Sequence, residues 1–314
     1  MSDIVISEFM DSDAVDGLMA DFDVRYEPEL VDRPEDLAAA VAGARALIVR
    51  NRTQVRGPLF EGAAKLEVVG RLGVGLDNID VAACETRGIT VCPATGANAD
   101  SVAEYVVTAA LMLLRGAYLS KHAMLKGEWP RAQLQGREAG GRRLGLIGFG
   151  TIARITADKA RALGMSIVAH DPMIGADDPV WTDHDAAPVD LDELLATADA
   201  ISLHVPLVDA TRHLIDGPAI GRMKDDAVLV NTARGGVVDD AALALALKEG
   251  RLGGAALDVF EDEPVPAENI FRGVPNLIMT PHIAGVSFDS NIRVSAVTAA
   301  NVRRVLEGGG MNGA

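Results

Sequence analysis

Two stretches carry residue types that could do chemistry. In "DDAVLVNTARGGVVDD", residues 225–240, an apolar strand around Ala227–Val230 runs directly into Asn231, Thr232 and Arg234, followed by Gly235 and Gly236. A buried strand that merely turned would need the glycines but not the arginine. Open α/β sheets hold ligands beyond the carboxyl ends of their strands, and a guanidinium there offers a planar fork for a carboxylate. In "LGLIGFGTIARITADKARALGMSIVAHDP", residues 144–172, Gly148, Gly150 and Ala153 form G-x-G-x-x-A between an apolar strand and a helical pattern. The first glycine makes the turn, the second admits a pyrophosphate, and the small third residue packs helix on strand. Amides around Thr151 and Ile152 then meet phosphate at the helix N-terminus. Asp171 closes the next strand, 23 positions after Gly148. Its carboxylate suits ribose hydroxyls and repels a 2′-phosphate, and Pro172 and Met173 offer no cation for one, so the expected cofactor is NAD. His204, in "LHVP", also ends a strand and is read as lining the cofactor cleft.

These residues need a scaffold of parallel strands. Short apolar strands alternate with helical patterns along the chain, the signature of βαβ units. "DIVISEF", "ARALIVR", "LEVVGR" and "GITVCP" read as strands of a first unit, with helices near 13–20, 34–42 and 78–87. A long Ala/Leu-rich pattern over about 99–126 reads as one connecting helix. A second series follows: "RRLGLIG", "MSIVAHD", "ADAISLHVP", "DAVLVNTAR", "GGAALDVFE" and "NLIMTPH", six strands, the number of a full dinucleotide-binding sheet. Residues 288–307 predict a final helix with no strand after it, expected to return to the first domain, and "EGGGMNGA" a frayed tail.

Composition narrows the function. The chain has 314 residues, 49% hydrophobic but 4% aromatic, so its core is built from Ala, Val, Leu and Ile. The formal charge of -16 and pI near 4.7 repel nucleic-acid phosphate and anionic lipid, which excludes both as expected partners. An anionic substrate therefore needs a local arginine cluster. Cys84 and Cys92 make no disulfide framework, the N-terminus lacks a signal peptide, and the apolar run Tyr105–Leu114 is too short to span a bilayer. A cytoplasmic globular protein without a metal centre is expected.

The ordered set "GRLGVGLDNIDVAA", "LGLIGFGTIA", "LHVPLVDATRHLI", "VNTARGGVVD", "LDVFEDEP" and "PHIAG" resembles the D-isomer-specific 2-hydroxyacid dehydrogenases over nearly the whole chain. The resemblance implies a Rossmann domain at 99–285 and a smaller flavodoxin-like substrate domain at 1–98 completed by 286–314. The active site is expected in the cleft between them. It implies a catalytic set of Arg234, Glu263 and His282. The chemistry fits those residue types: a hydride leaves C2 only if the hydroxyl proton leaves too, and a histidine can take it. A neighbouring carboxylate favours the imidazolium, and an arginine grips the substrate carboxylate. Phe149, Val205, Pro206, Thr232, Ala233 and Asp258 extend the implied cofactor lining, with Asp258 facing the nicotinamide carboxamide. The amides of Val74 and Gly75 form an implied nest for the substrate carboxylate.

"LIVRNRTQV" adds a further expectation. On an extended segment Arg50 and Arg52, flanking Asn51, share one side, and phosphoglycerate dehydrogenases of this family have basic residues in a similar loop. That suggests a substrate with a second anionic group, such as 3-phosphoglycerate or 3-sulfolactate. A general glyoxylate or hydroxypyruvate reductase and a non-catalytic NAD-sensing regulator are the alternatives. The chain ends at Ala314 without the regulatory domain of many phosphoglycerate dehydrogenases, which argues against feedback control by an amino acid. The resemblance also implies a homodimer formed through the helix near 99–126 and the loop holding Trp129.

Overall fold

A computed structural model describes residues 2–309, so most of the expected tail lies outside the described residues. The chain divides into two compact units, Met1–Asn98 with Val286–Ala314, and Ala99–Gly285.

In the first unit the order is β1 (Ile4–Ile6), α1 (Ser12–Met19), β2 (Val24–Tyr26), α2 (Pro34–Val41), β3 (Ala46–Val49), α3 (Gly57–Gly62), β4 (Val68–Arg71), α4 (Val81–Thr86) and β5 (Thr90–Pro93). All pairings are parallel, in the order β2-β1-β3-β4-β5. This is the flavodoxin-like order, which reverses between β1 and β3. β1 and β3 are wholly buried, because a parallel sheet is covered on both faces and its strands read as continuous apolar runs. One face packs α1 and the last helix, using Val15, Leu18, Val294 and Val302, and the other packs Leu37, Val41 and Phe60. β2 has no sequence signal of its own. It is three half-buried residues at the sheet edge, too short to show a pattern.

The second unit runs α5 (Ala99–Arg115), α6 (Lys121–Leu125), β6 (Arg143–Ile147), α7 (Thr151–Ala162), β7 (Ser166–His170), α8 (Pro179–Asp183), β8 (Ala186–Pro188), α9 (Leu191–Thr197), β9 (Ala200–Leu203), α10 (Gly217–Ile220), β10 (Val228–Asn231), α11 (Asp240–Lys248), β11 (Gly254–Leu257) and β12 (Leu277–Met279). The parallel sheet has the order β12-β11-β10-β9-β6-β7-β8. It therefore has seven strands rather than the expected six. The addition, "AAP", lacks β-branched residues and ends in a proline that only an edge strand accepts. The expected long helix is also shorter. It stops at Arg115 because Gly116 takes a left-handed conformation, φ 66°, and α6 follows after a short 3₁₀ turn. Among the described residues no helix is long and apolar enough to cross a membrane.

α12 (Phe288–Leu306) starts at a capping box between Ser287 and Ser290 and belongs to the first unit. It lies so close to β4 that a Cβ on Gly70 would stand 2.6 Å from Val302 Cγ2 and 2.9 Å from Thr298 Cγ2. Gly70→Val should therefore push α12 off the sheet and cost about 1–3 kcal/mol, the usual range for overpacking. Thermal unfolding reads the loss, and an unchanged midpoint would mean that this contact does not hold the helix.

Candidate active site

Every strand of the second unit is parallel, so all its carboxyl ends, and the residues that follow them, meet one edge of the sheet. The backbone ladder continues one step past the strands. Gly148 N–H donates to His170 O (2.8 Å), His204 N–H to Ile147 O (2.7 Å), Asp258 N–H to Asn231 O (2.9 Å) and His282 N–H to Asp258 O (2.8 Å).

At the β6–α7 turn the two glycines answer to different constraints. Gly148 has φ 86°, and a Cβ there would lie 2.6 Å from His204 O, at the point where the strand order reverses. The fold requires this glycine. Gly150 has φ -75°, and a Cβ would meet nothing within 4 Å. The protein does not require that one, and the open space beside it is what a pyrophosphate approaching the N-terminus of α7 needs. Asp171 is fixed by accepting from Phe149 N–H (2.8 Å) and Met173 N–H (3.0 Å). A hollow of about 400 Å³ beside it is lined by His170, Ile174, Trp181 and Val189. Buried His204 Nε2 and Thr232 Oγ1 have no partner. Orphaned polar atoms at these strand ends fit a ligand rich in hydroxyl, amide and phosphate groups, which a nicotinamide dinucleotide is.

The Arg234 loop is built by Asn231. Its Oδ1 accepts from Ala233 N–H (3.0 Å), and its Nδ2 donates to Arg234 O (3.0 Å). Gly235 presses against the neighbouring loop, where a Cβ would stand 1.7 Å from Phe260 O. Phe260 in turn donates its N–H to Glu263 Oε1 (3.0 Å), and Glu263 Oε2 is 2.8 Å from His282 Nδ1. An ionised carboxylate only accepts, so Nδ1 carries the hydrogen and Nε2 keeps the lone pair. The His282 side chain is 54% exposed.

Asp258 is 1% exposed, and its carboxylate accepts from Thr280 Oγ1 (2.5 Å), Ile283 N–H (2.9 Å) and Ala284 N–H (2.8 Å). It thus holds the loop that carries His282, beside whatever it offers a cofactor. Tyr105 on α5 extends the chain through a 2.6 Å contact with Thr280. Sequence reasoning singled out neither Tyr105 nor Thr280. α5 also carries the hydroxyls of Ser101 and Thr108, so nothing local marks Tyr105, and its partner lies 175 positions away.

In the first unit the amides of Val74 and Gly75 follow β4. Among the described residues neither donates to a main-chain carbonyl, which leaves both N–H groups available to an anion. The Arg50–Arg52 segment is not extended, and the expectation that the two side chains share one side fails. Glu8, 4% exposed, accepts from the N–H groups of Arg50 (2.9 Å), Asn51 (3.3 Å), Arg52 (3.1 Å) and Thr53 (3.0 Å). Four consecutive amides converge on one carboxylate only if the chain curls around it, so period-two alternation does not apply. Arg52 instead pairs with Asp32 at the surface. Arg50 is half-buried, 5.9 Å over the Phe9 ring, with Nη2 2.5 Å from the neutral Asn291 Oδ1. Burial pushes its pKa below the usual arginine value, against the pull of Glu8.

Burial also pushes the His204 pKa down to about 4, so the ring is neutral through the physiological range. An unfolded histidine takes its proton near 6.5, so the unfolded chain binds more protons between those values. The stability at this position is therefore whole above about pH 6.5 and falls by at most about 3 kcal/mol as pH drops toward 4. His204→Asn should flatten that limb of the stability profile measured by thermal unfolding. A limb of unchanged slope would assign it to another group.

Residues 107–284 match the model of the D-isomer specific 2-hydroxyacid dehydrogenase NAD binding domain. The chain is 56% identical to an (S)-sulfolactate dehydrogenase of Chromohalobacter salexigens, over 98% of this chain and 99% of that one. It is 40% identical to a D-3-phosphoglycerate dehydrogenase of Methanocaldococcus jannaschii over 87% of its own length, and spans 52% of that protein. The fold superposes on a crystal structure of D-lactate dehydrogenase from Aquifex aeolicus complexed with NAD and lactic acid, with TM-score 0.84 and 28% identity over 97% of this chain and 95% of that one. The chain belongs to the D-isomer specific 2-hydroxyacid dehydrogenase family and is an NAD-dependent oxidoreductase.

Proposed function

We propose that this enzyme interconverts a D-2-hydroxy acid bearing a second anionic group, with 3-sulfolactate the first candidate, and the matching 2-oxo acid. The observation that carries the reading is Arg50, a half-buried cation whose guanidinium hydrogen-bonds, among the described residues, to the neutral Asn291 side chain. Glu8 acts on that charge without a hydrogen bond to the guanidinium among the described residues, so a bound anion would add the direct partner that Arg52 already has in Asp32. The relative that is 56% identical is named for (S)-sulfolactate. The stereochemistry is consistent: sulfur gives the sulfonomethyl group priority over the carboxylate, so the (S) descriptor denotes the spatial arrangement of D-lactate.

NAD, which the β6–α7 turn and Asp171 would hold, would supply the hydride acceptor for C2. His282 takes the hydroxyl proton at Nε2, and Glu263 holds Nδ1 and stabilises the imidazolium. Arg234 grips the substrate carboxylate, and the amides of Val74 and Gly75 offer a backbone nest for an anion. Arg50 receives the distal anion, and Asn51 and Arg52 complete its loop. Residues 1–98 and 286–314 form the substrate domain and 99–285 the cofactor domain. Gly148–Ile152, Asp171, His204–Pro206, Thr232–Arg234 and Asp258 serve the cofactor, with Asp171 selecting NAD over NADP. A cytoplasmic location accords with two buried cysteines that form no disulfide and with the acidic composition. A homodimer accords with exposed Tyr118, Leu125 and Trp129 following α5.

Steady-state rates with 3-sulfolactate, 3-phosphoglycerate and D-lactate test the reading. A charge-assisted contact is worth roughly ten- to a hundredfold in kcat/KM, so a dianionic acid should lead by that margin with NAD. Parity with D-lactate would leave a general small-acid reductase. His282→Ala should lower kcat by roughly 10²- to 10⁴-fold with NADH affinity nearly intact. An equal loss of affinity would move His282 from proton transfer to structure.

A further inference from the structure

We propose that Glu8 is a positioning residue for substrate selection, holding the Arg50–Thr53 loop in the one conformation that presents Arg50, a role that presupposes Arg50 as the distal-anion site. Glu8 follows β1, beside the end of β3, where the strand order of this unit reverses. Doubly wound sheets place a ligand at such a point, and a run of converging backbone N–H groups there is an anion site. Here the protein's own carboxylate fills it. Each Glu8 oxygen accepts from two amides: Oε1 from Arg50 and Thr53, Oε2 from Asn51 and Arg52.

The carbonyl side is held from another direction. Asn78 Nδ2 donates to Thr53 O at 2.7 Å and to Arg50 O at 3.4 Å, and the Ser7 and Thr53 hydroxyls are 2.9 Å apart. The loop belongs to no helix or strand, so these side chains stand in for secondary structure. Burial alone would raise the Glu8 pKa, but the amides of Thr53, Arg50 and Arg52 outweigh it and keep the carboxylate ionised. Phe9 under the guanidinium and Asn291 at its tip then fix the Arg50 side chain. A neutral glutamine at position 8 would aim N–H groups at backbone N–H groups, leave two of the four amides without an acceptor, and release the loop.

The test compares the parent enzyme, Glu8→Gln and Asn291→Ala with NAD on 3-sulfolactate and on D-lactate, after circular dichroism confirms folding. The parent should favour 3-sulfolactate. In both variants its kcat/KM should fall roughly ten- to a hundredfold, mainly through KM, while that of D-lactate changes less than about threefold. A parent without preference overturns the distal-anion reading and this role with it. A parent with a clear preference that Glu8→Gln retains, or equal losses on both acids, overturns the role of Glu8 alone. Should Glu8→Gln fail to fold, Glu8→Asp, which keeps the charge but loses reach, must show the same split, and retained selectivity there overturns the proposal.

Discussion

The edge of the larger sheet depends on one buried carboxylate. Asp258 sits at 1% exposure after β11, out of reach of bulk water. An unpaired buried ion costs several kcal/mol, so the chain that follows β12 must fold to supply donors. It does so with the Thr280 hydroxyl and the amides of Ile283 and Ala284, and His282 N–H binds the Asp258 carbonyl. These bonds leave His282 at φ 55°, a left-handed conformation that costs a non-glycine residue about 1–3 kcal/mol unless its surroundings enforce it. The strained backbone is thus sustained by the requirement to satisfy Asp258.

Steric exclusion does the rest of the alignment there. Gly148 lies against His204 O and Gly235 against Phe260 O, at separations no Cβ tolerates. The two contacts tie adjacent strand-end loops together, so the Arg234 loop touches the Phe260–Glu263 turn directly. A parallel sheet brings the loops to one edge, and glycine lets them close up. Hydrogen bonds alone would leave more play.

The smaller unit uses the same device with another carboxylate. Glu8 gathers four amides as Asp258 gathers two amides and a hydroxyl, and in each case the carboxylate holds a loop that lies outside the helices and strands. A chain of charge -16 has acids to spare, and a carboxylate accepts more hydrogen bonds than any other side chain. Burying one amid backbone donors is an economical way to shape a loop without regular structure.

The sequence by itself determined what depends on near neighbours. Apolar runs marked the central strands, because strands buried on both faces cannot carry charge. The glycines at 148, 150, 235 and 236 marked tight turns, although the groups that Gly148 and Gly235 must clear, His204 O and Phe260 O, lie far along the chain. The order of short motifs carried the family. What only the tertiary structure decided involves partners far apart in the chain. The Arg50–Arg52 segment looked extended, since nothing local announces that Glu8, more than forty positions earlier, will curl it. The Tyr105–Thr280–Asp258 chain was invisible for the same reason. The edge strands β2 and β8 are too short and too lightly packed to impose a pattern, and they exist because a neighbouring strand offers unpaired backbone groups. Local composition can specify a turn or a buried strand, but the conformation of an irregular loop is set by whichever distant group satisfies its backbone.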